Sequence, residues 1–373
     1  MIGLASSVAR LRRAELIAGG YGPPPGVPTS MRRGLTVAAL AAGLASALVG
    51  TGRARAADAG EAAPTSQTSQ QFIDRREIIV PAKAAEVIRI DNLLGRVSIR
   101  GVARPGEIHI VAEKRASTPD ALGRLRVHYT AFENGEVVVD TRVELGGRER
   151  SLPLAGSGVD LVVDVPPDVA VEAKTFGGDV SVSGLRSGAK LETTGGRIGV
   201  QDVRGGVVTR QLRGGQRVAA VEGDVELDGV EGDMDLRNLG GGRVDAHVVD
   251  GTIRAEDLRS GFVKLVTTTG QIVLLGVIRP GAHYDLRSYA GDVRIFPTGE
   301  IPAFELRARS ATPLQTAVPL RASRREGDWL RTEYAGRRAQ PRTRTALLEL
   351  SSVLAGVTIE IQPRAATAPA ELR

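Results

Sequence analysis

Four aspartates each stand directly after a glycine: Asp179, Asp224, Asp233 and Asp292. Two or three acids on adjacent turns of a repeating chain are what a polysaccharide lyase or hydrolase needs, provided they come close enough for general acid and base work. The same position in other repeats holds Arg197, Arg243, Thr252 and Gln271. A Gly-Asp pair is also what a tight turn between strands selects for backbone reasons. A column of mixed sign reads as a ladder of mutually neutralising neighbours, so these carboxylates are expected to be structural. The mixture likewise argues against a calcium-binding roll, which needs a repeated G-G-x-G-x-D frame with an acid in every coil.

The second constellation runs from Arg321 to Arg344. It holds Arg321, Arg324, Arg325, Arg331, Arg337, Arg338, Arg342 and Arg344 against Glu326, Asp328 and Glu333, beside Tyr334 and the sole tryptophan, Trp329. Guanidinium forks grip phosphate, sulfate or carboxylate, and an aromatic ring can stack on a sugar face. One reading is therefore a ligand site with Arg324, Arg325, Arg337 and Arg338 as charge donors and Trp329 as the stacking ring. The other is a solvated segment whose Trp329 covers an open end of the fold, where bare strand edges would otherwise pair with other chains.

Other chemistry is sparse. The four histidines, His109, His128, His247 and His283, are far apart in sequence, and each reads as decoration on a strand. The G-x-S-x-G, H-E-x-x-H and G-x-x-x-x-G-K motifs are absent. There is no cysteine, which excludes disulfides, a thiolate metal site and a lipoprotein's acylated cysteine. No cofactor is expected.

The residues that position these groups belong to one short repeated pattern between Gly177 and Phe296. After a glycine and one or two polar residues come apolar residues at alternating positions, then another three further on. The triplets are Val180/Val182/Leu185, Ile198/Val200/Val203, Val225/Leu227/Val230, Met234/Leu236/Leu239, Val244/Ala246/Val249, Ile253/Ala255/Leu258 and Ile272/Leu274/Val277, with a broken copy at Val293/Ile295. Spacing two is the period of a strand with one buried face. The glycines recur 18 or 19 residues apart, as from Gly178 to Gly196 and Gly251 to Gly270, and some copies come at half that interval. Short strands and turns at a fixed period predict an all-β fold, a β-solenoid (single-stranded β-helix) of ~18–19-residue coils with irregular N- and C-terminal β segments. Aromatics are 3% of the 373 residues and glycines number 46, a composition suited to a thin interior of Val, Leu, Ile and Ala.

Residues 1–56 read as an N-terminal extension plus a secretory signal. Met31-Arg32-Arg33, an apolar run from Gly34 to Val49, and Ala54-Arg55-Ala56 supply the basic region, the core and the cleavage site of such a signal. Met31 is then the expected start, and the run is short for a membrane span. Residues 57–75 form a polar linker, 76–361 the solenoid, and 362–373 a disordered Ala/Pro tail. Within the solenoid's irregular start, Pro119 to Leu125 is predicted to be a short helix with Thr118 as its N-cap. The net charge of +6 is carried almost entirely by arginine. It favours an anionic partner, and export weighs against nucleic acid.

The line from Val159 to Leu185, VDLVVDVPPDVAVEAKTFGGDVSVSGL, resembles the DUF4097 family of bacterial adhesin-like proteins, related to the head-GIN-domain auto-transporter adhesins. Its pattern, a strand ending in Val-Pro followed by Thr-x-Gly-Asp-Val units, returns at Thr193-Thr-Gly-Gly-Arg-Ile198 and Thr268-Thr-Gly-Gln-Ile272, and Asp91 to Val97 is similar to the family's opening strand and turn. The resemblance covers roughly residues 76–361. It implies an exported β-solenoid and supplies no catalytic residue. The expected function is a non-enzymatic envelope protein, periplasmic, surface-bound or secreted. It would bind or scaffold through its solenoid face, with an anionic envelope glycan or lipid, or another envelope protein, as partner. The alternative is a solenoid carbohydrate-active enzyme.

Overall fold

The computed structural model describes residues 71–81, 85–102, 106–144, 156–321, 323–336 and 344–360. All belong to one compact unit, Ser66–Arg373. The extension, the signal and the tail lie outside the described residues.

The chain opens with Phe72–Pro81 (β1), Val87–Leu94 (β2), Val97–Gly101 (β3) and Glu107–Ala116 (β4). A helix follows at Pro119–Arg124 (α1), then Leu125–Ala131 (β5), Glu136–Val143 (β6) and Gly158–Val165 (β7). The regular part is Ala170–Gly177 (β8), Val180–Leu185 (β9), Ala189–Gly195 (β10), Ile198–Val203 (β11), Val207–Arg213 (β12), Gln216–Glu222 (β13) and Val225–Glu231 (β14). It continues through Met234–Gly240 (β15), Arg243–Asp250 (β16), Ile253–Glu256 (β17), Phe262–Thr269 (β18), Ile272–Gly276 (β19), His283–Ser288 (β20) and Val293–Pro297 (β21). The C-terminal part is Phe304–Arg309 (β22), Gln315–Thr316 (β23), Arg324–Glu326 (β24), Trp329–Tyr334 (β25), Ala346–Ser352 (β26) and Val357–Ile359 (β27).

These strands build a β-solenoid in which every coil gives one strand to each of two sheets. In the regular part the odd strands pair in parallel in one sheet and the even strands in the other. The period is 18 residues from Val180 to Ile198 to Gln216 to Met234, then 19 to Ile253 and to Ile272. Nine coils stack, from β2–β3 to β26–β27, at about 4.8 Å per step.

At both ends the stack departs from chain order. Strands β6 and β7 lie beyond the β2–β3 coil, each parallel to it, with β5, β4 and β1 added outside them antiparallel. At the other end β22 and β23 lie beyond β26–β27, so the last strands of the chain slot between two earlier ones. Strand β1 begins at Phe72, inside the expected linker, because the full length of β4 gives it a partner down to Ala116. Helix α1 matches its expectation: Thr118 Oγ1 accepts from the Ala121 N–H at 3.1 Å.

The interior is a continuous Val/Ile/Leu core that includes Leu191, Leu227, Leu236 and Ile272, each at zero exposure. The repeated triplet is in fact two patterns. In the odd sheet a residue with positive φ stands before the third apolar position: Gly184, Asp202, Asn238 and Asp257, at φ 72, 54, 52 and 53°. That left-handed step adds one residue, so Leu185, Val203, Leu239 and Leu258 turn inward after a gap of three. The even strands lack it and keep strict alternation, as in Val244, Ala246 and Val248. Consequently Val230 and Val249, expected inside, are exposed, and Val248 is buried beside the latter; Val277, just after the odd strand β19, is exposed as well, and Ile278 is buried in its place.

One corner of each coil from β2–β3 to β20–β21 holds a glycine, and these glycines stack; in the last coil Ala355 holds that position. Gly232 has φ +135°, and a Cβ placed on it would overlap the carbonyl oxygen of Gly214 in the previous coil. Backbone runs against backbone here, so only glycine fits. Buried polar side chains of the following coil hold the corner carbonyls: Thr267 Oγ1 donates to Gly251 O at 3.0 Å and Ser288 Oγ to Gly270 O at 2.9 Å.

Candidate functional site

The carboxylates after the corner glycines are engaged with the backbone. Asp179 Oδ1 accepts from the Arg197 N–H at 2.8 Å, Asp233 Oδ1 from the Thr252 N–H at 2.8 Å, and Asp292 Oδ1 from the Gly356 N–H at 3.0 Å. Each bond joins a coil to the next. The sequence placed Asp224 and Arg243 in this same column. The structure puts them at the opposite corner, between an odd and an even strand, where Asp224 Oδ1 takes the Arg243 N–H at 3.0 Å. That correction follows from each coil having two corners, both marked by glycine. Along the first corner Asp179, Asp233 and Asp292 are three coils apart, roughly 14 Å per interval. A glycosidase pair needs about 5–10 Å. The column therefore cannot act as an acid–base pair. The Gly356 N–H and then the Arg294 guanidinium hold Asp292 below the usual carboxylate range.

Two acids do meet at the N-terminal end. Glu113 and Asp160 are cross-strand neighbours in a hollow that Arg75 and Arg96 also line. Arg115 bridges both, reaching Asp160 closely and Glu113 at 3.8 Å, and Asp160 Oδ1 also accepts from the Arg96 N–H at 2.9 Å. Guanidinium groups thus line the site of both carboxylates. A general acid needs the opposite environment. Among the described residues no cluster of three or more His, Asp or Glu side chains could hold a metal ion. His283 is packed against the Phe262 ring and bonded to Glu349 at 3.2 Å, and His109 is bonded to Glu77.

The arginine segment forms the C-terminal edge of the even sheet. Strand β25 runs antiparallel to β22, and β24 folds back on β25 through a turn at Gly327-Asp328. The register lines up Arg307, Arg331 and Arg324 across three strands. Acids compensate two members of this column, Arg331 meeting Glu305 at 3.0 Å and Arg307 meeting Glu349 at 3.1 Å, and nearby Arg309 meets Asp328 at 3.3 Å. Arg324 has a side chain 83% exposed and a loose contact of 3.8 Å with Glu326. Arg325 is exposed and has no side-chain partner among the described residues. Trp329 is half-buried on β25, opposite Glu326. The structure thus brings Arg324, Arg325 and Trp329 together on one short hairpin. Arg337 and Arg338 lie outside the described residues.

A further feature escaped the sequence reading. Leu93, Phe176, Leu212, Val230, Val249, Tyr289 and Leu354 are all exposed, by 37–63%. Leu354 falls in line with Ala290, but the other six each stand two residues before a corner glycine, and with Thr194 and Thr268 they occupy that position in eight successive coils. The even-sheet register stacks them into one apolar stripe. The Φ-x-Gly recurrence was visible in the sequence, but its direction was not.

Fold and site together define a two-sheet β-solenoid with structural corner carboxylates and a charged C-terminal edge. No family model matches the chain, and no curated protein matches it. The resemblance to DUF4097 therefore rests on the motifs given above. Solved structures similar to the chain include a putative cell adhesion protein from Clostridium sporogenes ATCC 15579, at 8% identity and TM-score 0.22, covering 78% of this chain and 100% of that one. A putative adhesin from Bacteroides fragilis NCTC 9343 is 13% identical with TM-score 0.38, over 79% and 99% of the two chains. Another, from Parabacteroides merdae ATCC 43184, is 9% identical with TM-score 0.27, over 78% and 96%. Likenesses at this level say nothing of what this chain binds.

Proposed function

We propose that the protein is an exported, non-enzymatic, adhesin-like component of a cell envelope that binds through the outside of its solenoid. The corner column carries this reading: its acids sit three coils apart and are each engaged with the next coil's backbone. What remains for a partner is surface. At the C-terminal edge Arg324 and Arg325 offer guanidinium groups beside the half-buried Trp329 ring, a set suited to an anionic glycan or lipid headgroup. Export is supported by the signal-like segment 31–56. No helix among the described residues is long and apolar enough to cross a membrane.

An array of acidic glycans and anionic lipids, probed with the full chain, tests the reading. Binding should weaken from low to physiological salt, since exposed charges are screened within about 8–10 Å, and should fall in the Arg324→Ser/Arg325→Ser variant. Full, salt-insensitive binding by that variant would remove the edge from consideration. Turnover of pectate, alginate or peptidoglycan, lost on changing Asp179 or Asp233, would replace the reading with the enzymatic one.

A further inference from the structure

The apolar stripe is long, single and uncharged, and it is flanked by charges on both sides. Seven steps of about 4.8 Å give it a length of roughly 34 Å. On the sheet side, two residues back in each coil, stand Asp91, Lys174, Glu192, Arg210, Asp228, His247, Val266 and Arg287. On the corner side, one residue on, stand Leu94, Gly177, Gly195, Arg213, Glu231, Asp250, Thr269 and Ala290. Neither Arg210 nor Asp228 has a side-chain partner among the described residues. Soluble proteins rarely leave so extended an apolar line bare.

We infer that a second copy of this chain covers the stripe, in an antiparallel two-fold dimer whose axis passes between Leu212 and Val230. A copy presents the same rung spacing, so every rung meets a rung. In this register Leu212 packs on the partner's Val230, Thr194 on the partner's Val249, Phe176 on the partner's Thr268, and Leu93 on the partner's Tyr289. The flanks then match in charge. Arg210 faces the partner's Asp228, Asp91 the partner's Arg287, and Glu192 the partner's His247, with no like charges opposed; Arg213, which contacts Glu231 of its own chain at 3.5 Å, also faces the partner's Glu231.

Other arrangements do worse. A parallel pair sets Arg210 against Arg213 and Asp228 against Glu231. Centring the axis on Leu212 opposes Arg210 to itself, and centring it on Val230 opposes Glu231 to itself. Moving one coil toward the C-terminal end puts Glu231 on Asp250. Moving one coil the other way avoids like charges but matches six rungs instead of eight. A strip about 15 Å wide would bury roughly 500 Å² per copy, about 1,000 Å² in all, in the range of weak, transient interfaces. The dimer is accordingly reversible.

Sedimentation equilibrium of the full chain should show a monomer–dimer equilibrium that shifts toward monomer as salt rises. Phe176→Ser/Leu212→Ser/Val230→Ser should fold normally, because all three sites are exposed, and weaken the dimer about 100-fold or more. Asp91→Arg should also weaken it, and adding Arg287→Asp, seven coils away in the same chain, should restore it. A cysteine-free chain permits a direct check of register. Leu212→Cys protein mixed with Val230→Cys protein should form a disulfide-linked dimer, while neither alone should do so. A chain monomeric at every concentration, a dimer indifferent to the triple serine change, or a stronger dimer with Asp91→Arg would each overturn the inference. Cross-linking of Leu212→Cys to itself would do the same. Saturation of the stripe by an anionic vesicle or by the chain's own residues 1–70, leaving a monomer, would also sink it.

Discussion

The carboxylate of Asp179 accepts the backbone N–H of Arg197, eighteen residues on, at 2.8 Å, and so ties one coil to the next outside the regular ladder. Arg197 Nη2 lies 3.5 Å from the other carboxylate oxygen. A sequence feature that suggested general acid–base chemistry is thus a clamp between turns of the backbone. The same clamp recurs from Asp233 to Thr252 and, at the opposite corner, from Asp224 to Arg243.

Removing a clamp should cost stability and nothing else. Asp179→Ala and Asp233→Ala are each expected to lower the unfolding free energy by about 1 kcal/mol, the usual net worth of one hydrogen bond. The two sites are roughly 14 Å apart, so the double variant should show the sum. Urea titration measures this.

The glycine corner makes a sharper contrast. At Gly232 an added methyl meets the Gly214 carbonyl in a left-handed backbone, whereas at Gly195 it meets nothing within 4 Å and φ is unexceptional. Gly232→Ala should lose more than about 3 kcal/mol, from strain plus overlap. Gly195→Ala should stay within about 0.5 kcal/mol. Equal melting temperatures for the two would show that the corners do not stack backbone on backbone.

The split triplet predicts opposite outcomes for two residues that look alike in sequence. Leu239 is at zero exposure and Val230 at 44%. Leu239→Ala should destabilise by about 2–5 kcal/mol, and Val230→Ala by less than about 0.5 kcal/mol. Thermal or chemical denaturation distinguishes them.

Ala220 holds the left-handed position of its coil at φ +53°, where the other coils use Gly184, Asp202, Asn238 and Asp257. An alanine there carries a penalty of about 1 kcal/mol that glycine and, in part, asparagine avoid. Ala220→Gly is expected to raise stability by roughly 0.5–1 kcal/mol, with Ala220→Asn close behind; a fall in both would remove the strain from that residue.

Asp292 gives a pH dependence of known sign. Its carboxylate binds the Gly356 N–H and the Arg294 guanidinium, and its pKa lies below the ordinary aspartate range. A depressed folded pKa contributes stability that is complete above the unfolded value of about 4 and lost as pH falls through the folded one. The stability gap between the native chain and Asp292→Asn should therefore be flat from pH 7 to about 4 and close below that. A gap that widens under acid would contradict the assignment.

The sequence determined the solenoid itself. Alternating Val, Leu and Ile with glycines 18 or 19 residues apart permit little but short stacked strands, because strand period and turn chemistry are local properties. Thr118 as a helix cap and Val159 to Val165 as a strand were legible for the same reason. The tertiary structure decided where each repeat faces. Val230 and Leu239 both close an apolar triplet. Only the left-handed φ of Asn238 turns Leu239 inward, and Val230 has no such step before it. Asp179 and Asp224 both follow a glycine, and only the two-sheet coil puts them at different corners. The alignment of Arg307 with Arg331 and Arg324 depends on which strand pairs with which at the C-terminal end, where stacking leaves chain order. Long-range register is set by the fit of whole coils, and no short window of residues contains it.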